Sequence, residues 1–401
     1  MKAVFAQPAF RTLWLAQFVS VFGDFMALFG VISLITFRLH GTAVDVAAAT
    51  VAYLAPFSLI APAAGVLVDR WPVKRVMIAS DLVRAVIAGS LVLVTDTHQI
   101  FAVMVLLGLV SSFFGPAQSV AIRVLVRRED LLSANALLSQ AFYAVRILSP
   151  ALAGALVAWL SEKACFWIDA GTFLFSAAMI GRLAIVRAAA PKQGSLRAFG
   201  RDFVEGNRFI FTHRGLSFAF LASAAAMFML SSFSPLISVY VRDTLHAGSL
   251  FYGAVSSMVG VGLVVGAQLI QRAARTRPMV QLVLGGLFGI GAGAALLGAF
   301  QSNVAAALST FIIGAAIAFV IVPGQTLSQK ETPPAMMGRV SSTFMSLFSV
   351  SQVSGLLLSG VLASVLGIRQ LFLLCAAALA FMSLGGWLWL RPRPTPPEAA
   401  G

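Results

Sequence analysis

Apolar residues run along this chain in blocks, each bounded by charges or by proline and glycine clusters. The blocks fall near residues 12–37, 46–68, 76–95, 99–122, 135–160, 164–185, 216–241, 250–270, 278–299, 303–326, 336–366 and 369–390. About 20 apolar residues is the length an α-helix needs to cross ~30 Å of hydrocarbon. Membrane-spanning strands would instead alternate apolar and polar positions over ~10 residues, and that alternation is absent. The pattern predicts an all-α polytopic membrane protein with twelve transmembrane helices.

One long polar interval, 186–214, separates the sixth block from the seventh. It divides the chain into an N-terminal six-helix bundle over 1–185, a cytoplasmic linker over 186–214 and a C-terminal six-helix bundle over 215–390. An amphipathic helix is expected in the linker around "RDFVEGNRFIF". The tail over 391–401, "RPRPTPPEAAG", is Pro-rich and expected to be disordered.

Composition strengthens this picture. Of 401 residues, 59% are hydrophobic and 10% charged, against about 25% charged in soluble domains. The net charge of +14 would point to nucleic acid in a soluble protein. Here the basic residues fall in the loops between spans, where they set topology instead. With the N-terminus inside, only Arg38, Lys163, Arg242 and Arg369 lie outside, and Arg84 and Arg146 lie within spans. Every other Lys and Arg of the 28 falls on the side of the termini. Positive loops face the cytoplasm, so both termini are expected on the cytoplasmic side of a cell inner membrane.

Enzyme chemistry finds no footing. Cys165 and Cys375 stand alone in apolar sequence, and His40, His98, His213 and His246 fall in or beside loops, so no metal or haem site is indicated. No phosphate-binding loop and no nucleophile–base set is present, and no cofactor is expected. The first block is too long for a cleavable signal and carries Asp24.

The two halves resemble each other. "GPAQSVAIRVLVRRED" at the end of span four matches "VPGQTLSQKETPPAM" at the end of span ten, aligning Pro116 with Pro323 and Gln118 with Gln325. "AFYAVRILSPALAGALVA" in span five matches "LFSVSQVSGLLLSGVLAS" in span eleven, aligning Gly154 with Gly360. Repeats with a site at their interface are a mark of secondary transporters.

The turn between spans two and three, "GVLVDRWPVKR", concentrates charge in an apolar chain. Its pattern, Gly65-x-x-x-Asp69-Arg70-x-x-x-Lys74-Arg75, resembles the signature loop of the major facilitator superfamily, with Pro72 where that family has a second glycine. "VRILSPALAG" in span five is similar to the proline–glycine motif of the family's antiporters, keeping Pro150 and Gly154 but with Ser149 and Ala153 where glycines are common. "PAFRTLWLAQFVSVFGD", "SDLVRA", "FWIDAGTFLFSA" and "MMGRVSS" resemble its macrolide-efflux and enterobactin-exporter-like branch, of drug:H⁺ antiporter type. "AQFVSVFGD" and "FVIVPGQTL" also resemble the lysophospholipid transporter of the same superfamily.

The resemblance implies two pseudo-symmetric six-helix bundles around a midplane cavity, rocking to give alternating access, in a monomer. It also implies that Gly65, Asp69, Arg70, Lys74 and Arg75 hold the inward faces of the bundles together in one state. Asp81 and Arg84, three apart on one face of span three, are expected to belong to that loop's charge network.

Ionisable residues at bilayer depth are costly and therefore functional candidates. At ~1.5 Å per residue, Asp24 lies roughly 18 Å and Arg146 roughly 16 Å from the cytoplasmic edge. They are a candidate ion pair if the bundle brings spans one and five together. Asp24 would then load a proton and Arg146 tune it; the alternative is a fixed structural pair. Asp169, near the outer end of span six, is expected to be structural. Phe22, Phe25, Met26 and Phe29 surround Asp24, span seven adds Met227, Phe228, Met229 and Phe233, and Gln118 and Gln325 complete a candidate cavity for varied apolar guests. These readings predict secondary active export of a small amphiphilic molecule (drug, macrolide or siderophore-like) by proton antiport. Lysophospholipid flipping is the alternative. A non-transporting scaffold or sensor is disfavoured, because it has no need of an expensive midplane aspartate.

Overall fold

The computed structural model describes residues 2–68, 70–185, 205, 207–333 and 336–390. Among them are 12 helices long and apolar enough to cross a membrane. In the first half they are α1 (Pro8–Ser33), α2 (Ala43–Val68), α3 (Val73–Ser90), α4 (Thr97–Leu125), α5 (Leu131–Trp159) and α6 (Glu162–Gly181). In the second half they are α7 (Arg214–Asp243), α8 (Ser249–Ala273), α9 (Met279–Ala299), α10 (Asn303–Glu331), α11 (Met337–Leu366) and α12 (Ile368–Trp389).

Local chemistry places the helix ends. Pro8 opens α1, where its missing N–H costs nothing. Asp96 caps α4 by accepting from Gln99 N at 3.0 Å, and Ser302 caps α10 by accepting from Ala305 N at 3.1 Å. The helices overrun the apolar blocks by up to about a turn and a half, as at Lys330–Glu331, because a helix can continue into the polar boundary after hydrophobicity stops. Pro72, standing where a glycine was the family pattern, precedes α3 in extended conformation, and its carbonyl accepts from Arg75 N and Val76 N at 2.9 and 3.1 Å. Most of the linker, including the "RDFV" start of the expected amphipathic helix, and the tail lie outside the described residues; 207–212 are helical.

The internal repeat is stricter in space than in sequence. Every helix of the second half begins 206 residues after its counterpart: Pro8 and Arg214, Ala43 and Ser249, Val73 and Met279, Thr97 and Asn303, Leu131 and Met337, Glu162 and Ile368. Packing repeats too: α2 lies on α4 as α8 lies on α10, and α3 on α6 as α9 on α12. The exception is α1 against α6, a long contact, whereas α7 and α12 touch little. Residue size explains it. A Cβ on Gly23 would collide with Thr172 and Asp169, and one on Gly30 would lie 3.0 Å from Cys165 and Phe166. The equivalent positions of α7 carry Met229 and Leu236, which instead line an apolar cavity of about 170 Å³ beside α11 and α12.

The halves meet along α5–α8 and α2–α11. Gly154 of α5 packs on Gly253 of α8 so closely that an added Cβ would come within 2.9 Å of the Gly253 Cα and of the Ser249 carbonyl. Its repeat partner Gly360 on α11 packs against Val44 Cα of α2 at the same 2.9 Å. Small residues let membrane helices approach backbone to backbone.

Candidate functional site: a buried charge set and its adjoining cavity

The chemistry concentrates in the first half. Arg84 and Asp81, one turn apart on α3, form an ion pair in which the Asp81 side chain is 0% and the Arg84 side chain 5% exposed. The guanidinium carbon lies 4.4 Å from the Phe114 ring of α4 and 4.3 Å from the Phe173 ring of α6, so the cation is held between two aromatic faces. Asp24 of α1 and Asp169 of α6 are electrostatic neighbours of Arg84 and of each other. Gly23 allows this, because its bare Cα lets the Asp169 carboxylate approach α1 directly.

This corrects the sequence reading of Asp81 and Arg84. They were expected in the charge network of the α2–α3 turn, but the inward face of α3 turns them between α4 and α6, where the aromatic pair and Asp24 are their surroundings. Arg70 and Arg75 are exposed, no described residue pairs with Arg70, Lys74 or Arg75, and an added Cβ at Gly65 would meet nothing within 4 Å. Gly65 therefore makes no close helix contact among the described residues. Asp69 lies outside the described residues.

Spans one and five do meet at the height of Asp24 and Arg146. Phe25 contacts Phe142 edge to face with ring centroids 5.4 Å apart, and Ser149 Oγ donates to the Phe22 carbonyl at 3.5 Å. Asp24 and Arg146, each half-buried, sit between these two contacts. Met26 and Phe29 are buried at 3% and 4% exposure, so they serve as packing rather than open cavity wall.

Toward the end of the molecule that carries the termini, α1, α4 and α5 enclose a cavity of about 290 Å³. Gln17, Phe18 and Val21 contribute from α1, Gln118 from α4, and Ser139 and Phe142 from α5. Gln17 is 6% exposed, and its fully covered Nε2 has no acceptor among the described residues. Gln325, the repeat counterpart of Gln118, is exposed on α10.

The opposite end is shut. There a π-helical turn, Leu34–Arg38, ends α1. Arg242 at the end of α7 donates from Nη1 to the carbonyls of Thr36 and Gly41 at 2.6 and 2.8 Å. Its Nε and Nη2 donate to Asp243 at 2.5 and 2.9 Å. Thr36 Oγ1 also donates to Ser238 Oγ at 3.2 Å, and Phe29 stacks on Tyr252 of α8 at 4.7 Å. Thr36 and Arg242 are repeat equivalents, so the clasp lies on the pseudo-twofold axis. Sequence reasoning assigned no role to Arg242, Tyr252 or Gln17. A polar glutamine inside an apolar block was a readable signal for Gln17; nothing in the sequence marked the π turn.

The charge set is absent from the second half. The positions equivalent to Asp24, Asp81, Arg84 and Asp169 are Leu230, Leu287, Ile290 and Cys375. No group of three or more His, Cys, Asp or Glu that could hold a metal occurs among the described residues.

A family model described as Major Facilitator Superfamily matches residues 13–355. Macrolide efflux protein A of Streptococcus pyogenes is 24% identical over 387 residues, covering 94% of each chain. The lysophospholipid transporter of Yersinia pestis is 26% identical over 326 residues, 79% of this chain and 77% of that protein. A solved bacterial homologue of the human lysosomal transporter Spinster, in an inward-facing and unoccupied conformation, superposes with a TM-score of 0.73 at 14% identity, covering 97% of this chain and 100% of that one.

Proposed function

The chain belongs to the major facilitator superfamily and is a membrane transporter rather than an enzyme; from that premise we propose that it exports a small amphiphilic molecule from the cytoplasm by proton antiport. The observation that carries this reading is the buried charge set. Three carboxylates, Asp24, Asp81 and Asp169, share one desolvated region with the guanidinium of Arg84, and Arg146 stands on the adjoining helix. Such groups are expensive at membrane depth, and a structural pair would need only two of them. Asp81 and Arg84 neutralise each other, which leaves Asp24, with Asp169 beside it, as the acid that exchanges a proton. Asp24, half-buried on the helix that also lines the cavity, is the proton carrier, and Arg146 tunes it.

The route follows from the packing. With the termini in the cytoplasm of the cell, as the Lys and Arg distribution directs, the Arg242 clasp closes the outer side and the Gln17 cavity lies toward the inner side. Rocking of one bundle on the other about α5–α8 and α2–α11 exchanges these openings. In the other state the turn residues Gly65, Asp69, Arg70, Lys74 and Arg75 close the inner side, and Pro150 and Gly154 supply the contact surface. Substrates of the macrolide or siderophore class fit the mixture of aromatic and carboxamide groups, and similarity to a macrolide efflux protein supports the first.

Lysophospholipid transport is the second reading. The apolar cavity between α7, α11 and α12, whose Leu374 is 54% exposed at its rim, has the character of an acyl-chain groove.

The test is transport in proteoliposomes under an imposed pH gradient, offering a macrolide, a catecholate siderophore and a lysophospholipid in turn. Asp24→Asn is expected to abolish gradient-driven transport while substrate binding remains measurable. Pumping by Asp24→Asn against a gradient would place the coupling elsewhere. Movement of the lysophospholipid alone would select the second reading.

A further inference from the structure

In the first half α6 closes directly on α1, because Gly23 admits Asp169 and Thr172 and Gly30 admits Cys165 and Phe166. The repeat puts Met229 and Leu236 of α7 at the two glycines, and Cys375, Ala378, Leu371 and Phe372 of α12 opposite them. All six line the cavity of about 170 Å³ between α7, α11 and α12. The gap is therefore the place where the second half leaves a helix–helix contact unmade. Fixed contacts on both sides keep it from collapsing. Ser232 Oγ of α7 donates to the Gly355 carbonyl of α11 at 3.0 Å. Phe372 packs on Phe233 and on Tyr240 with ring centroids 6.0 and 5.8 Å apart, and Tyr240 donates to the Leu297 carbonyl at 3.1 Å.

The lining offers nothing to a polar guest. Its two hydroxyl groups are already spent on backbone carbonyls, Ser232 on Gly355 and Ser359 on Leu356 at 3.1 Å, and the rest of the wall is hydrocarbon, aromatic ring and sulfur. The open side is apolar too: Leu374 and Ala378 are exposed at the rim, with Leu358 and Val361 exposed beside them on α11. α12 packs chiefly on α9 and makes no sizeable contact with the first half, so this rim is on the outside of the bundle, where hydrocarbon is the solvent. With the termini in the cytoplasm, Ile368 marks the outer end of α12. At ~1.5 Å per residue, Leu371 and Ala378 then lie roughly 5 and 15 Å in, within the outer leaflet.

We propose that this gap binds one acyl chain of an outer-leaflet phospholipid, kept there as a lasting part of the fold whichever molecule the protein carries. The inference goes beyond the export reading and takes from it only the side on which the termini lie. Between membrane helices the attraction is packing, because lipid tails are as apolar as leucine. An empty slot leaves its walls without partner atoms and forfeits their dispersion energy. A lipid tail is the hydrocarbon present in excess at that depth, and it enters sideways past Leu374 with its headgroup left at the surface. At about 170 Å³ the slot is below the roughly 300 Å³ where small-molecule sites begin, which suits a segment of one chain and not a whole cargo. The chain bridges α12 to α7 and α11, the task that Gly23 and Gly30 make unnecessary in the first half.

The test uses the full-length protein purified in detergent. Native mass spectrometry should find one palmitoyl-oleoyl phosphatidylglycerol retained per wild-type protein through washing that strips the rest. Cys375→Phe, which puts a ring into the slot, should lower that retention about tenfold, the factor that about ten lost carbon–carbon contacts give. Added lipid should raise the thermal unfolding temperature of the wild type and barely shift that of the variant, whose lipid-free form should already unfold at a higher temperature. Diphytanoyl phosphatidylglycerol has the same headgroup but methyl-branched chains too wide for the slot, and should stabilise the wild type less. Cys375→Leu repeats the comparison if phenylalanine prevents folding, and the comparison of the two lipids needs no variant. Equal retention by the wild type and a folded variant, no retention by the wild type, or equal stabilisation by the branched lipid overturns the proposal. So does loss of lysophospholipid transport alone in Cys375→Phe, which would make the slot a path for cargo. Absence of export by the wild type, with the retained lipid found, would instead sink the export reading and leave the lipid site standing.

Discussion

Arg242→Ala tests how the outer side is held shut. The side chain is 18% exposed, and Nη1 donates to two carbonyls across the interface, Thr36 at 2.6 Å and Gly41 at 2.8 Å. Hydrogen bonds from a charged group are worth ~1.5–3 kcal/mol each. Two would total roughly 3–6 kcal/mol, but when the end opens water reaches both carbonyls and the arginine keeps Asp243, so about half should be discounted. A net loss of about 2 kcal/mol remains for the closed state, a roughly thirtyfold shift toward the open one at about 1.4 kcal/mol per factor of ten. The contacts of Tyr252 with Phe29 and Phe37 and the Gly154–Gly253 packing survive, so the protein should still fold. The assay places a cysteine at Ser234, beneath the clasp, and measures its labelling by a membrane-impermeant maleimide applied to each face of the membrane in turn. Background from buried Cys165 and half-buried Cys375 is subtracted using the parent protein. Labelling from the outside should accelerate by more than tenfold in Arg242→Ala. Arg242→Lys should fall between, since a point charge cannot reproduce the fork. A change below twofold in an inserted, folded variant would refute the clasp. Acceleration from the cytoplasmic face only would reverse the orientation.

The other predictions concern packing and the charge set. Gly154→Val should drive a branched side chain into the Gly253 backbone and cost the closed arrangement about 1–3 kcal/mol; lower thermal stability with faster outside labelling at Ser234 is the expected pair of results. Arg84→Leu should destabilise the protein by about 3–5 kcal/mol, because Asp81 is left buried and unpaired. Asp81→Leu combined with Arg84→Leu should recover much of that loss, read as a thermal-shift double-mutant cycle; additive losses would show that the pair is not coupled.

Much of this protein was legible along the chain. Twelve apolar blocks of spanning length could be solved only by helices, because hydrocarbon leaves backbone polar groups no partner outside the segment. The internal repeat was visible in Pro116 with Pro323 and Gly154 with Gly360, since each half faces the same packing problem. Asp24 stood out as an acid at membrane depth, and Gln118 as a polar residue on a helix that lines the cavity.

What the chain could not state is which distant side chains share a space. Asp81 and Arg84 read as neighbours of the signature turn, because spacing along one helix fixes a face but not what packs on it. Phe114 and Phe173, 30 and 89 positions beyond Arg84 in the numbering, make the difference only once α4 and α6 close around α3. Asp169 joins them through the absence of a side chain at Gly23. The π turn, the grip of Arg242 on two carbonyls of α1 and the orphaned Gln17 amide are likewise decided by tertiary contact. Hydrophobic periodicity is a local signal, and solvent alone determines it; electrostatic pairing, unpaired donors and the choice of closed end depend on distances between helices that the order of residues does not contain.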